Sequence, residues 1–238
     1  MLIDYQTFHE RAGAVLQRIA ALCEQAGRNP REIRLMPVTK NHPAAAAEYA
    51  ARYGLVSVGE NRVQEAVDKR ALVTAPLQWE LIGHLQSNKA KLAAAHFDRI
   101  QSVDSEKLLT ALDRAAGDLG KKLAVLLQVN AGNDPAKFGV DPADARRLLE
   151  FALAQPHLRV EGLMTVAPLA DDPAVAQRTF ANLRTIRDDL SARLGVPLRE
   201  LSMGMSGDLE AAVAAGTTLV RVGTALYGER AAPGGFQK

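Results

Sequence analysis

Short apolar segments alternate with longer amphipathic segments along almost the whole chain. The apolar segments are four to seven residues long and rich in Val, Ile and Leu, as expected for strands that are covered on both faces. After an amphipathic helix at residues 5–26, the pattern predicts eight strands, at residues 34–39, 56–59, 78–82, 100–103, 123–129, 160–166, 200–203 and 219–223. Helices are predicted after the first seven strands, at residues 43–52, 62–73, 88–95, 105–119, 142–154, 173–194 and 207–215.

This alternation predicts an α/β fold with parallel strands, because a crossover helix is what joins parallel neighbours. Eight such units in 238 residues favour a (β/α)₈ TIM-type barrel with an extra N-terminal helix over the alternative, a doubly wound open sheet. Pro37 removes one hydrogen-bond donor from the first strand, which is tolerable near the strand end. No Pro-, Gly- or Ser-rich linker divides the chain. We therefore predict one domain, residues 1–238, in which residues 1–30 form a helix that packs on the barrel.

Composition narrows the class of protein. Hydrophobic residues make up 47% of the chain, charged residues 24%, and the net charge is +2, so an ordinary globular protein is expected and nucleic-acid binding has no support. The single cysteine, Cys23, falls on the apolar face of the first helix and is expected to be a buried thiol in a reducing compartment. The first residues lack the pattern of a signal peptide, and no apolar run reaches membrane-spanning length. A cytoplasmic protein is expected.

Lys40 follows the first predicted strand and is the first candidate for chemistry. Strand alternation puts Lys40 on the same face as Met36 and Val38, so an interior position for those two side chains brings the lysine amine close to apolar walls. Burial lowers the pKa of a lysine, and a neutral amine can form a Schiff base with an aldehyde. The alternative is a solvated lysine in a strand-to-helix turn.

The segments after strands 7 and 8 resemble a phosphate site. Ser206 is predicted as the N-cap of a helix, and Gly204 and Gly207 would let backbone N–H groups approach a ligand. Barrel enzymes often bind phosphate between these two loops. Asp208 and Glu210 complicate this interpretation, because carboxylates in the first helical turn repel an anion. Plain helix capping, in which the two acids complement the helix dipole, is therefore the alternative.

Arg221 favours the phosphate interpretation. It shares a strand face with Leu219 and Gly223, and an inward arginine between apolar neighbours needs a partner, since an unpaired buried charge is very costly. The partner is either a carboxylate, with Glu200 and Glu60 as candidates, or a ring nitrogen of a ligand. A lysine, a phosphate cradle and an arginine near a heterocycle nitrogen together describe a pocket for pyridoxal 5′-phosphate (PLP).

Five sequence blocks resemble the pyridoxal phosphate homeostasis protein family, whose fold is similar to the barrel domain of alanine racemase. The blocks are Val38-Thr-Lys40, Val58-Gly-Glu-Asn-Arg-Val-Gln-Glu65, Trp79-Glu-Leu-Ile-Gly-His-Leu-Gln-Ser-Asn-Lys89, Val160-Glu-Gly-Leu-Met164, and Leu201 to Ala212 continuing through Leu219 to Gly228. The resemblance spans nearly the whole chain. It implies a PLP-binding protein that buffers the cofactor and delivers it to apo PLP-dependent enzymes, as a monomer or weak dimer.

The resemblance also implies a role for individual residues. Lys40 holds PLP as a Schiff base, the phosphate is bound by Ser206, Gly223 and Thr224, Arg221 faces the pyridine nitrogen, and the ring is lined by Asn61 and Met203. Alanine racemase adds a second domain that supplies an opposing tyrosine. Here only residues 229–238 follow the last segment, and Tyr227 is no obvious replacement, so efficient racemisation, which needs proton transfer on both faces, is not expected.

Three classes of function stay open at the level of sequence: a PLP carrier, a PLP-dependent enzyme such as an amino-acid racemase, and a barrel isomerase that binds a phosphorylated substrate without a cofactor. His42 and His84 follow predicted strands, but the five histidines show no metal-ligand spacing. Lys137 either offers a second amine or solvates its loop, and the loop interpretation is favoured. Trp79 is expected to pack in the core.

Overall fold

Eight parallel strands form the sheet of this protein in a computed structural model that describes residues 2–228. The strands are β1 (Arg34–Pro37), β2 (Ser57–Glu60), β3 (Gln78–Leu81), β4 (Arg99–Val103), β5 (Leu123–Gln128), β6 (Leu158–Met164), β7 (Glu200–Ser202) and β8 (Leu219–Val222). They pair in the order β1-β8-β7-β6-β5-β4-β3-β2. A parallel bridge between Val38 and Gly59, just beyond β1, brings the two ends of the sheet together. The predicted TIM-type barrel is confirmed.

The outer layer consists of helices, of which the first precedes β1 and the others follow the strands. They are α1 (Tyr5–Gln25), α2 (Ala45–Tyr53), α3 (Val63–Arg70), α4 (Ala90–His96), α5 (Glu106–Asp118), α6 (Ala145–Leu153), α7 (Pro173–Leu194), α8 (Leu209–Ala214) and a short α9 (Thr224–Tyr227). Three 3₁₀ turns, at Pro30–Glu32, Ser87–Lys89 and Pro142–Asp144, lead into β1, α4 and α6. Two of these turns fall inside predicted helices, which is why the predicted starts of α4 and α6 are early.

The first helix packs where the barrel would otherwise be thinly covered. The helix after β8 is only α9, and α1 contacts α2, α8 and α9. Phe8 of α1 stacks on Tyr227 of α9 with 5.1 Å between ring centroids. Arg28, just after α1, donates to the carbonyl oxygens of Val213 and Thr217, each at 2.8 Å. The one-domain division of residues 1–238 stays a prediction, and its last ten residues lie outside the part of the chain described here.

Two layers of side chains pack against the strands. The larger lies between the sheet and the helices and contains the buried Cys23 and Trp79, together with one face of most strands. The smaller lies inside the barrel, where the side chains of Gln101 on β4 and Met36 on β1 meet, with 3.8 Å between Nε2 and Sδ. Because β4 is not a neighbour of β1 in the sheet, this contact crosses the interior. The side chain of Met36 therefore faces the interior, which is the condition on which the expected position of Lys40 depended.

Among residues 2–228, no helix is long and apolar enough to cross a membrane. The same residues contain no group of three or more His, Cys, Asp or Glu side chains placed to hold a metal ion.

Candidate functional site

A cavity of about 200 Å³ opens at the carboxyl ends of the strands, where β1, β7 and β8 lie side by side. Its wall includes five of the seven predicted site residues: Lys40, Ser206, Arg221, Gly223 and Thr224. The other lining residues are Val38, His42, Ile82, Met205, Gly207 and Gly228. The cavity therefore combines an amine, a guanidinium and two hydroxyls with an apolar wall, from residues that are up to 184 positions apart in sequence.

Lys40 stands in the turn that follows β1 and is partly buried. Val38, two residues earlier, is buried and lines the same cavity, so the predicted alternation from Met36 through Val38 to Lys40 matches the placement. The strand is shorter than predicted, because it ends at Pro37 and continues only as the Val38 bridge to Gly59. Asn41 then adopts a left-handed backbone conformation, with φ of 60°, and turns the chain towards α2.

Arg221 lies inside the barrel with only 4% of its surface exposed. Its Nη1 donates to Ser202 Oγ and its Nη2 donates to the carbonyl oxygen of Thr165, each at 2.7 Å. Both acceptors are uncharged. Burial lowers the pKa of Arg221 to about 10, and the negative charge of Asp208 only partly offsets this. The group is thus a buried cation at neutral pH, and no carboxylate among residues 2–228 forms an ion pair with it.

The carboxylate partners considered for Arg221 are engaged elsewhere, so that alternative is wrong. Glu200 forms ion pairs with Arg34 at 2.5 Å and with Arg99 at 3.0 Å. Glu60 is fully buried, but its side chain points out of the barrel interior and pairs with Lys69 of α3 at 2.7 Å. The cavity wall that Arg221 helps to form is therefore the place where a ligand could approach this cation.

A line of hydrogen bonds leads from Arg221 through the barrel interior. Ser202 Oγ, which accepts from Arg221, donates to Gln101 Oε1 at 2.6 Å. Gln101 Nε2 in turn donates to Glu80 Oε2 at 2.6 Å, and Glu80 also accepts from Arg99. This line fixes the plane of the Arg221 guanidinium from behind. Its members come from β3, β4, β7 and β8, and sequence patterns contain no signal for such long-range pairing.

The loops after β7 and β8 contribute the hydroxyls of Ser206 and Thr224 to the cavity. Ser206 is not the N-cap that was predicted, because α8 begins two residues later than expected, at Leu209, and Asp208 precedes it. The Asp208 carboxylate instead accepts from the backbone N–H of Met205 at 2.5 Å. Burial raises the pKa of Asp208, an effect that the Met205 hydrogen bond opposes. The Asp208 carboxylate is thus hydrogen-bonded within its own loop.

Two glycines differ in what they do for this loop. Gly204 has a φ of 98°, and a Cβ there would come within 2.4 Å of Ala212 Cβ, so its glycine is required by packing. At Gly207, which lines the cavity, a Cβ would meet no atom within 4 Å, and its φ is not in the left-handed region. The absence of a side chain at Gly207 therefore leaves open space beside the cavity rather than relieving a clash.

Asn61 and Met203 do not line this cavity. Met203 is fully buried in the layer between sheet and helices, because strand alternation turns it away from the interior that Ser202 faces. Asn61 lines a neighbouring surface pocket with Glu65 and His84, and its buried Oδ1 has no hydrogen-bond partner among the described residues. Met205, which was not predicted, lines the cavity instead of Met203.

The remaining candidates lie around the mouth. His42 lines the cavity and its ring is 5.0 Å from that of Tyr227. Tyr227 itself is buried, donates to the carbonyl oxygen of Ala46 at 2.9 Å, and has its pKa raised by burial. His84 stacks on Phe138 and is 3.5 Å from Asp104. Lys137 lines a separate, larger cavity that shares Met205 and Gly207 with the first.

The site's donors fit a small phosphorylated aldehyde. Hydroxyls and a glycine that leaves open space suit a phosphate, a primary amine suits an aldehyde, and a buried guanidinium can donate to a ring nitrogen acceptor. The unpartnered Oδ1 of Asn61 is a buried acceptor close to the same strand ends. The residues present are thus compatible with PLP.

Comparison with known proteins agrees with this chemistry. Residues 11–231 match the family model "Alanine racemase, N-terminal domain". The pyridoxal phosphate homeostasis protein of Aquifex aeolicus is 39% identical to this chain, over 93% of this chain and 97% of its own length. That of Pseudomonas aeruginosa is 41% identical, over 94% of this chain and 96% of its own length. The structure of PipY from Synechococcus elongatus with PLP bound has 42% identity and a TM-score of 0.82, covering 93% of this chain and 100% of that one. From these matches along nearly its full length, the chain belongs to the pyridoxal phosphate homeostasis protein family.

Proposed function

We propose that this protein binds PLP in the cavity at the carboxyl ends of β1, β7 and β8, and buffers and delivers it inside the cell. The observation that carries the proposal is the convergence of Lys40, Arg221, Ser206 and Thr224 on one cavity. The PLP bound to PipY and the names of the curated relatives support the same ligand. Delivery to apo PLP-dependent enzymes, and a monomer or weak dimer as the working form, are parts of this proposal.

Lys40 is proposed as the covalent attachment point. Its neutral Nζ adds to the aldehyde carbon of PLP and one water is lost, which leaves a C=N bond, or Schiff base. Val38 and Ile82 line the same cavity as Lys40 and form an apolar part of its wall. Because this addition is reversible by water, attachment at Lys40 is compatible with release of the cofactor.

The other predicted residues are proposed to hold the rest of the molecule. Ser206 and Thr224 donate hydroxyl hydrogen bonds to the phosphate, and the backbone N–H groups of Gly207 and Gly223, which line the same cavity, add to them. Arg221 faces the ring nitrogen. Neither Asn61 nor Met203 lines the cavity, so the two are proposed only as residues near the ring.

Arg221 also argues against the alternative, an amino-acid racemase. Bound PLP accelerates reactions of amino acids by acting as an electron sink, which works best with a protonated ring nitrogen. A guanidinium at that nitrogen can only donate, so it holds the nitrogen in its unprotonated state. Tyr227 is buried against Ala46 and is held away from proton transfer at the cavity. Binding and release, rather than turnover, is the activity that this arrangement favours.

The test begins with the absorbance spectrum of the purified protein after addition of PLP. We expect a Schiff-base band that borohydride abolishes, with the reduced label mapped to Lys40. A barrel isomerase without a cofactor would show neither. Loaded protein mixed with an apo PLP-dependent enzyme should activate it faster than free PLP at the same concentration. Racemisation of L-alanine at about 1 per second or faster would instead favour the enzyme.

A further inference from the structure

The turn that carries Lys40 is held on both sides by side chains from β2 and α3. Before the lysine, Thr39 Oγ1 donates to Glu60 Oε1 at 2.6 Å. After it, the backbone N–H of Asn41, whose left-handed φ is 60°, donates to Glu65 Oε1 at 2.5 Å. Thus each chain neighbour of Lys40 is bonded to a carboxylate that belongs to a different segment.

Lys69 joins these two carboxylates and the turn into one network. Its Nζ donates to Glu60 Oε1 at 2.7 Å, to Glu65 Oε1 at 2.8 Å and to the carbonyl oxygen of Thr39 at 2.6 Å. An ammonium has three donors, so all of them are used here. Lys69 is 7% exposed and Glu60 is fully buried, so little water competes for these bonds.

The network lies behind the turn and not in the cavity. Lys40 and His42 line the cavity, whereas Thr39, Asn41 and the three charged side chains do not. A buried ion pair is an ineffective way to gain stability, since replacing it with apolar groups is often neutral or favourable. What this one achieves is local: it fixes the backbone at the residue before Lys40 and at the residue after it.

We propose that Glu65 and Lys69 are positioning residues for Lys40, which hold its backbone so that Nζ reaches the aldehyde of the ligand. The inference rests on the proposed attachment of PLP at Lys40 and adds the two residues that make it efficient. Holding an amine in the geometry of attack lowers the entropy that must be lost when the bond forms. Glu60 supports the same turn through Thr39.

Glu65 is the residue to test, because its side chain is 22% exposed and its replacement leaves the buried Glu60–Lys69 pair in place. The apparent affinity for PLP should fall about tenfold in Glu65→Ala, the equivalent of one charge-assisted hydrogen bond. Pyridoxine 5′-phosphate carries an alcohol in place of the aldehyde and cannot attach to Lys40. Its affinity should therefore stay as in the wild type.

Variants of matched size separate positioning from charge. Glu65→Gln keeps an acceptor at the same reach for the Asn41 N–H and should bind PLP nearly as the wild type does. Glu65→Asp keeps the charge but is one methylene shorter, so it should show the loss seen in Glu65→Ala. Glu48→Ala is the control, because Glu48 also accepts a backbone N–H, that of Thr74 at 2.9 Å, on a helix that does not hold the Lys40 turn.

Two results would overturn the inference. Equal losses for PLP and pyridoxine 5′-phosphate in Glu65→Ala and Glu65→Asp would mean that the network supports the fold of the whole cavity. Unchanged affinity for both ligands would mean that the turn is fixed without it. Failure of the proposed function is a separate outcome, since the wild-type protein would then show no borohydride-dependent label on Lys40.

Discussion

Arg99 and Arg221 are both buried inside the barrel, one near each end, but they differ in what surrounds them. At the amino ends of the strands, Arg99 forms ion pairs with Glu80 at 2.7 Å and with Glu161 and Glu200 at 3.0 Å. At the carboxyl ends, Arg221 donates to a hydroxyl and a carbonyl. At the amino ends, carboxylates neutralise the charge of Arg99. The other end keeps a positive charge beside an open cavity.

The pKa shifts of the two arginines express this difference. Burial lowers the pKa of both, but around Arg99 the carboxylates of Glu80 and Glu200 outweigh burial, and the pKa is raised above its ordinary value. For Arg221 burial prevails and the pKa falls to about 10. At the amino ends of the strands, the ion pairs of Arg99 therefore stabilise the fold. At the carboxyl ends, Arg221 is a cation whose free energy is lowered when a ligand supplies electron-rich atoms.

Replacing Lys40 should give the largest effect and confine it to the open end. Lys40→Ala removes the amine, so the Schiff-base band and the borohydride label should disappear completely. The melting temperature should stay close to that of the wild type, because the turn is held by Glu60, Glu65 and Lys69 and not by the amine. Absorbance spectra and thermal melts check both points. A label that moves to Lys137 would contradict the assignment.

Removing Arg99 should affect stability at the closed end. Arg99→Met leaves Glu80, which is 1% exposed, without its ion-pair partner, and the free energy of unfolding should fall by about 3–5 kcal/mol. Arg159→Met is the control at the same end. Arg159 is exposed, and its ion-pair partner in the described part of the chain is Glu161, so the loss should stay within about 1 kcal/mol. Denaturant unfolding measures both. If Arg99→Met reduced the free energy of PLP binding by more than it reduced the free energy of unfolding, the contrast between the two ends would not hold.

Removing one hydroxyl at the open end should have a smaller, ligand-specific effect. Ser206→Ala or Thr224→Ala each remove a charge-assisted hydrogen bond of about 1.5–3 kcal/mol, so PLP affinity should fall roughly tenfold to a hundredfold. Affinity for pyridoxal, which lacks the phosphate, should change much less. Thr185→Ala is the control, because the Thr185 hydroxyl donates to the carbonyl oxygen of Ala181 within α7. Equal losses for both ligands would indicate a packing role.

Glu60 should give the smallest effect, a change in pH dependence. Burial raises the pKa of Glu60, although Lys69 and Thr39 oppose the shift. The folded state thus holds the Glu60 proton more tightly than the unfolded chain, and this contribution to stability is lost as pH rises from the ordinary glutamate pKa of 4.5 through the raised value. The free energy of unfolding should therefore decline more with rising pH in the wild type than in Glu60→Gln. Parallel pH profiles would contradict this linkage.

The sequence was sufficient to predict the barrel, because most strand residues are buried and their apolar side chains distinguish the strands from the helices. No predicted strand end is displaced by more than two residues, and α7 has the predicted bounds. The inward face of β8, with Leu219 and Arg221, follows from alternation alone and is confirmed by the Arg221 contacts inside the barrel. Alternation also places Met203 on the opposite strand face from Ser202, outside the barrel interior. The family resemblance instead implied that Met203 lines the ring of the ligand.

What the sequence could not supply was the pairing of charges. Its residue type predicts Ser206 as an N-cap, but Asp208 and the Met205 N–H form a hydrogen-bonded loop, and α8 begins only at Leu209. Glu200 was a candidate for Arg221, yet Arg99, 101 residues earlier, binds it. The Glu65–Asn41 and Lys69–Thr39 bonds join a helix to a turn of another unit. Such contacts depend on the closed barrel, and no local pattern encodes them.

The hydrogen bonds that cross the barrel interior have a single direction. Arg221 can only donate, so Ser202 must turn its own proton to Gln101, whose amide nitrogen must then face Glu80. The bond dipoles consequently add head to tail along the barrel axis, and neighbouring bonds polarise one another. The interior of this protein therefore holds an ordered relay of hydrogen bonds that begins at the Arg221 cation beside the cavity and ends at the Glu80 carboxylate.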